Sequence, residues 1–260
     1  MSASDGFSLN ARDFFVGGLG YAKRVKVSLP EGPGPFPLLI VHDGRCAFRK
    51  GAPEGCECLA IDEALAGRGR RMAVAAIEEE PWQTRTKEYS PFPWVDEASV
   101  YLPAGEEKGK AYAEWVMKGL LPALESDLPI ERNGKGRYML GCSLGALMSA
   151  YMSFAYPGAF GKIGCMSLAS WGNEPAFLSF CESRESRSAY FLRVGTDEGT
   201  PRGIASLAGV YPRLAEDFRG ILIEKGRPVD FAINDGRAHK TAEWSKDMPA
   251  FVDFLSPRAI

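Results

Sequence analysis

The residues of this chain best suited to chemistry are Gly141-Cys142-Ser143-Leu144-Gly145. The apolar stretch Arg137-Tyr-Met-Leu140 precedes them and reads as a strand, while Ala146-Leu-Met-Ser-Ala-Tyr-Met152 comes after and reads as a helix. A serine on such a strand–turn–helix junction is lifted off the backbone, so that Oγ projects as a nucleophile. The flanking glycines let strand and helix approach each other. The helix N-terminus behind the serine favours developing negative charge. The same residues without chemistry would be a small-residue turn, so the reading depends on whether a base and an acid accompany the serine.

Two histidines are available. His42 ends an early apolar run and precedes the serine. His239 closes Asn234-Asp-Gly-Arg-Ala-His239, between a strand-like stretch and the last helical one. In an α/β-hydrolase the chain order is nucleophile, acid, histidine, which His239 satisfies and His42 does not. The acid is expected on a loop after a strand between Ser143 and His239. Tyr190-Phe-Leu-Arg-Val194 is such a strand, and its exit, Gly195-Thr-Asp197-Glu198-Gly199, offers two adjacent carboxylates. Either could orient the imidazole and stabilise its protonated form; position alone does not choose between them.

These residues need a scaffold that brings strand ends together. Pro37-Leu-Leu-Ile-Val-His42 and Met72-Ala-Val-Ala-Ala-Ile77 are short, uninterrupted apolar runs, as expected of strands buried on both faces. Further strands are predicted around 12–16, 21–29, 137–140, 162–167, 189–194 and 228–233. Helices are predicted over 57–67, 109–126, 144–156, 174–184, 204–224 and 241–255. Strands alternating with helices imply a mainly parallel sheet covered on both faces, the α/β-hydrolase class, in one domain spanning 1–260. Residues 79–107 carry four prolines and no clear period, and read as a long functional loop.

With 31 Lys+Arg against 33 Asp+Glu, net charge gives no reason to expect a nucleic acid or a membrane surface as partner. The beginning, Met1-Ser-Ala-Ser-Asp-Gly-Phe7, has neither a basic n-region nor an apolar h-region, and no apolar run reaches the length of a membrane span. A cytoplasmic enzyme is expected. Its cysteines, at 46, 56, 58, 142, 165 and 181, would then be reduced thiols. Cys56 and Cys58, at the expected start of the 57–67 helix, have no matching Cys or His pair and do not read as a zinc site. Neither metal nor organic cofactor is implied, since serine, histidine and acid supply nucleophile, base and charge stabilisation.

The whole pattern resembles the esterase family that includes enterochelin esterases, feruloyl esterase domains, S-formylglutathione hydrolase and the mycolyltransferases. The resemblance runs from about Leu19 to Leu255. Leu19-Gly-Tyr-Ala-Lys-Arg-Val-Lys-Val-Ser-Leu-Pro30 is similar to the family's opening strand, and Val41-His-Asp43-Gly44-Arg45 to its strand ending in Asp-Gly. Arg85-Thr-Lys-Glu88-Tyr89-Ser-Pro91 resembles its Arg-x-x-Glu-Tyr-x-Pro segment. Tyr156-Pro157-Gly158-Ala-Phe160-Gly161 matches the family's segment after the nucleophile, and His239 with Trp244 its His-x-x-x-x-Trp ending. The resemblance implies Glu198 as the acid, with Asp197 as fallback, and an oxyanion hole from the backbone N–H groups of Leu144 and Arg45. His42, where the family more often has an apolar residue, and Cys142, beside the serine, depart from the pattern.

Substrate is less constrained. The Asp-His-Gly-type segment of S-formylglutathione hydrolase is missing, His42-Asp43-Gly44 having the opposite order, and feruloyl or acetyl-xylan esterases are generally exported. Enterochelin-type siderophore esters are the first expectation: Arg45, Arg85 and Lys87 would meet anionic catecholates, while Trp82, Tyr89 and Trp171 would stack on aromatic rings. Esters of acylated sugars or other small carboxylic esters are the alternative. A catalytically inactive hydrolase-fold module that only binds an ester-like ligand is the reading from a different class. The bland account of the 82–89 residues is that they anchor a long loop.

Overall fold

The computed structural model describes residues 7–16, 19–52, 54–95, 98, 102–199 and 209–256 of the 260. Its strands are β1 (Phe7–Val16), β2 (Tyr21–Pro30), β3 (Leu38–Val41), β4 (Ala73–Ile77), β5 (Arg137–Cys142), β6 (Lys162–Met166), β7 (Ala189–Asp197) and β8 (Val229–Ala238). They form one sheet in the order β1-β2-β4-β3-β5-β6-β7-β8. The β1–β2 and β2–β4 pairs are antiparallel, and every later pair is parallel. This is the α/β-hydrolase fold.

The helices are α1 (Ile61–Gly67), α2 (Trp82–Glu88), α3 (Gly109–Trp115), α4 (Leu121–Asp127), α5 (Leu144–Ala155), α6 (Glu174–Glu182), α7 (Val210–Glu224), α8 (Thr241–Trp244) and α9 (Met248–Leu255). The apolar strands explain the layering. In β3, Leu38 and Ile40 join a core with residues of α3, α4, α5, α6 and α7, whereas Leu39 and Val41 join a second core with α1 and α9. Side chains alternate across a strand, so an all-apolar strand feeds both layers. Helix α5 is buried along nearly its whole length, consistent with its lack of a polar face.

The structure amends several expectations. The 79–107 segment contains α2, which shows no amphipathic period because Thr86 and Glu88 face inward. The helix expected over 109–126 is α3 and α4 joined by a π-helical stretch, Val116–Leu120. Helix α1 begins at Ile61, leaving Cys56 and Cys58 in the preceding loop. The helix expected over 241–255 is split into α8 and α9 by a 3₁₀ turn, with Pro249 at the first turn of α9, where its missing N–H costs nothing. Residues 204–208 of the expected 204–224 helix lie outside the described residues. Because the central strands are parallel, their C-terminal ends share one edge, and the exits of β3, β5, β6, β7 and β8 meet there. In open α/β sheets that edge is where ligands bind.

Candidate active site

Ser143 sits between β5 and α5 with φ 59° and ψ −124°, a conformation that side-chain-bearing residues rarely adopt. The flanking glycines are needed for space. A Cβ on Gly141 would lie 2.0 Å from the Gly145 carbonyl oxygen, and one on Gly145 would lie 2.9 Å from Asp43 Oδ2. The Ser143 N–H donates to the Met166 carbonyl at 2.8 Å, tying the turn to β6.

The fold brings Ser143, His239 and Glu198 together. His239 Nε2 lies 2.9 Å from Ser143 Oγ, and His239 Nδ1 lies 3.0 Å from Glu198 Oε2. The Glu198 side chain is buried, whereas its neighbour Asp197 is exposed. The other Glu198 oxygen, Oε1, accepts from Ser167 Oγ at 2.5 Å and from the Gly195 N–H at 2.6 Å. Ser167 in turn accepts from Trp244 Nε1 at 2.7 Å, and the Trp244 ring packs edge-on against His239. Ser167 escaped the sequence reading. Its only signal there is its place at the exit of a strand next to the nucleophile's.

On the other side of Ser143, Leu144 is the first residue of α5, and Arg45 lies in the 3₁₀ turn Gly44–Cys46 after β3. The turn is entered through Asp43 at φ 57°. Arg85 holds the Asp43 carboxylate with two hydrogen bonds, at 2.5 and 2.7 Å, and the Tyr89 hydroxyl accepts the Asp43 N–H at 3.2 Å. Burial works against the Arg85 charge, and the adjoining Asp43 more than offsets it. Lys26 Nζ donates to the Arg45 carbonyl at 2.9 Å. The Arg45 N–H is engaged: it donates to Glu79 Oε2 at 3.2 Å, while Arg45 Nε donates to Glu79 Oε1 at 3.0 Å.

The thiol expectation fails at two positions. Cys46 and Cys56 form a disulfide that links the Arg45 turn to the loop before α1. Their spacing gave no hint, because the contact depends on that loop folding back, with the Leu59 N–H donating to the Cys46 carbonyl at 2.9 Å. Cys58, Cys142, Cys165 and Cys181 are free and buried. Among the described residues no group of three or more His, Cys, Asp or Glu side chains could hold a metal ion.

A cavity of roughly 640 Å³ opens over Ser143, lined among others by Trp82, Arg85, Trp171, Tyr211 and Trp244. Trp82 and Trp171 thus both line the cavity over Ser143. Tyr89 does not: it is fully buried, packed against His42 and Tyr112 beneath Asp43, so the expectation that it stacks on substrate is corrected. Arg85 reaches the cavity with its charge committed to Asp43, Arg45 is committed to Glu79, and Lys87 pairs with Glu106. Glu88, of the same motif, is buried against Lys23 at 2.7 Å and Tyr21 at 2.5 Å. The bland account of Arg85, Glu88 and Tyr89 as loop anchors is the better one. Tyr211 was missed, because an aromatic at a helix start carries no signal until α7 is seen to pack beside β7.

His42 is enclosed, with Nδ1 2.9 Å from the Tyr112 hydroxyl and Nε2 without a partner. Burial, with Arg85 and Lys23 nearby, pulls its pKa down to about 4, and Asp43 only partly opposes this. An unfolded histidine titrates near 6.5, so the unfolded chain binds the extra proton first, and stability present above that pH is lost as pH falls toward 4. The expected size is about 3 kcal/mol for a shift of this extent. Urea denaturation of wild type and His42→Val at pH 7 and pH 4 checks it. The wild type should lose about that much more than the variant, and parallel losses would contradict the argument.

No helix among the described residues is long and apolar enough to cross a membrane. Comparison with known proteins bears on the fold and the family. The chain is 28% identical over 226 residues to the uncharacterised protein YbbA of Bacillus subtilis strain 168, covering 85% of this chain and 86% of that protein. Its fold is similar to the BES protein from Bacillus cereus, with a TM-score of 0.75 at 16% identity over 99% of this chain and 97% of that one. It is also similar to the enterobactin esterase FES from Shigella flexneri, with a TM-score of 0.68 at 16% identity, over 96% of this chain and 60% of that one. The sequence pattern of the family described as "Putative esterase" matches residues 18–202, and the chain thus belongs to that family of carboxylic ester hydrolases.

Proposed function

We propose that the chain hydrolyses uncharged carboxylic esters through Ser143, His239 and Glu198 and an acyl-enzyme intermediate. The observation that carries this is the unbroken hydrogen-bonded run from Ser143 Oγ through the imidazole to a buried carboxylate. Ser143 Oγ adds to the ester carbonyl while His239 Nε2 takes its proton, and Glu198 stabilises the imidazolium. The carbonyl oxygen gains the negative charge, which the Leu144 N–H and the Arg45 N–H receive once Glu79 yields the latter. Collapse breaks the bond to the leaving oxygen, which takes the proton from His239. Water then repeats the sequence on the acyl-enzyme and releases the acid. A fluorophosphonate should label Ser143 alone, with activity lost in step. Labelling of another residue would overturn the assignment.

The charge around the cavity supports uncharged substrates. Asp43, Glu57, Glu79 and Glu80 outnumber Arg45 and Arg85 along its lining. A catecholate siderophore ester remains the second reading, because Trp82 and Trp171 offer aromatic faces. An excess of carboxylates repels such an anion, so kcat/KM for an uncharged acetyl ester should exceed that for an iron-loaded catecholate lactone by at least about tenfold at low salt. The opposite ranking would favour the siderophore.

A further inference from the structure

Tyr211 is the second residue of α7 and is almost wholly buried, yet it lines the cavity over Ser143. Its ring packs against the His239 imidazole with centroids 4.6 Å apart, placing it on the imidazole side of the nucleophile rather than on the Leu144 and Arg45 side. The hydroxyl accepts a hydrogen bond from Trp171 Nε1 at 3.0 Å, and the residue shares the lining of one cavity with Ser143. Indole is a donor only, so Trp171 occupies a lone pair of the Tyr211 oxygen and leaves its proton free to be given. Burial raises the phenol above its usual range, and the nearby Glu198 charge adds to this, so that proton is retained at any working pH.

We propose that Tyr211 is a further catalytic residue, donating a hydrogen bond to the leaving-group oxygen of the ester. This rests on the Ser143–His239 reading above. As the tetrahedral intermediate collapses, the bond from carbon to the leaving oxygen breaks and its electron pair stays on that oxygen. The proton the oxygen acquires comes from His239 Nε2. Tyr211 transfers no proton; its hydrogen bond strengthens as charge builds on the oxygen, which lowers the barrier to departure. Tyr211 and Ser143 line the same cavity, so the leaving oxygen comes within that space once the serine has added.

A donor to the leaving oxygen matters when that oxygen would depart as an alkoxide and matters little for p-nitrophenolate, a stable anion. Tyr211→Phe should therefore lower kcat/KM for an ethyl ester by at least about tenfold, and for the p-nitrophenyl ester of the same acid by less than about threefold. Trp171→Phe, which releases the hydroxyl from its fixed direction, should show the same ethyl-selective loss in smaller measure. Unchanged fluorophosphonate labelling of Ser143 would show that the nucleophile is intact in both variants. Equal losses on the two esters, or none on either, would overturn the role. A wild-type chain inactive on both esters, or activity surviving Ser143→Ala, would instead sink the esterase mechanism itself.

Discussion

Ser143→Ala is expected to lower kcat by about 10⁶-fold, the scale on which removing the nucleophile of a serine hydrolase acts. Nothing near Ser143 replaces it. The nearby Cys142 is enclosed, and burial raises its thiol well above the ordinary range, keeping it protonated and unreactive. The loss should not come from unfolding. Alanine has the same backbone cost at φ 59° as serine, and the neighbouring contacts are made by the backbone, through the Ser143 N–H to Met166 and the Ala146 and Leu147 N–H groups to the Ser143 carbonyl. Stability should thus change by less than about 1 kcal/mol. Turnover of p-nitrophenyl acetate measured beside a urea titration separates the two. Substantial activity in a folded alanine variant would remove Ser143 from the mechanism.

Glu198→Gln is expected to lower kcat by about 10⁴-fold, for a reason visible in the hydrogen bonds around the carboxylate. Oε1 accepts from both Ser167 and the Gly195 N–H, so a glutamine must place its carbonyl oxygen there. Its NH₂ then faces His239 Nδ1, where Oε2 had been. A donor at that position forces Nδ1 to accept and puts the imidazole proton on Nε2, the tautomer that cannot take a proton from Ser143. Asp197→Asn, on an exposed side chain, should change kcat by less than about threefold. Comparing kcat of the two variants on one activated ester decides between the acids. The reverse ranking would move the role to Asp197.

The distinction between the two acids shows what sequence could and could not reveal. Strand exit and chain order brought both candidates to the segment that lies beside His239, but orientation along an irregular turn depends on Ser167 and the Gly195 N–H, which no periodicity encodes. Apolar runs such as Leu38–Val41 and Ala73–Ile77 were legible because a parallel strand must be buried on both faces. The end of β8 was not, since Asn234–Ala238 is polar and becomes strand only by pairing with the end of β7, Gly195 opposite Asn234 and Asp197 opposite Ala238. The motif around Arg85 was readable as a pattern, whereas the partners of its charges were not. Arg85 finds Asp43 forty-two positions away, and Arg45 finds Glu79 at thirty-four, so charges that looked available to a ligand are neutralised by the fold.

Helix α2 divides its seven residues between two tasks, and that division decides where this scaffold tolerates variation. Trp82 faces the cavity, whereas Glu88, with Lys23, forms an ion pair closed to solvent on both sides. Removing one partner of such a pair costs about 3–5 kcal/mol, a large part of the stability of an ordinary domain. A library randomised across 82–89 to alter substrate range would consist mostly of chains that do not fold. Diversity confined to Trp82 and to Thr241, which also lines the cavity, would leave the frame standing, and new acyl or alcohol preferences could be selected without compensating substitutions elsewhere.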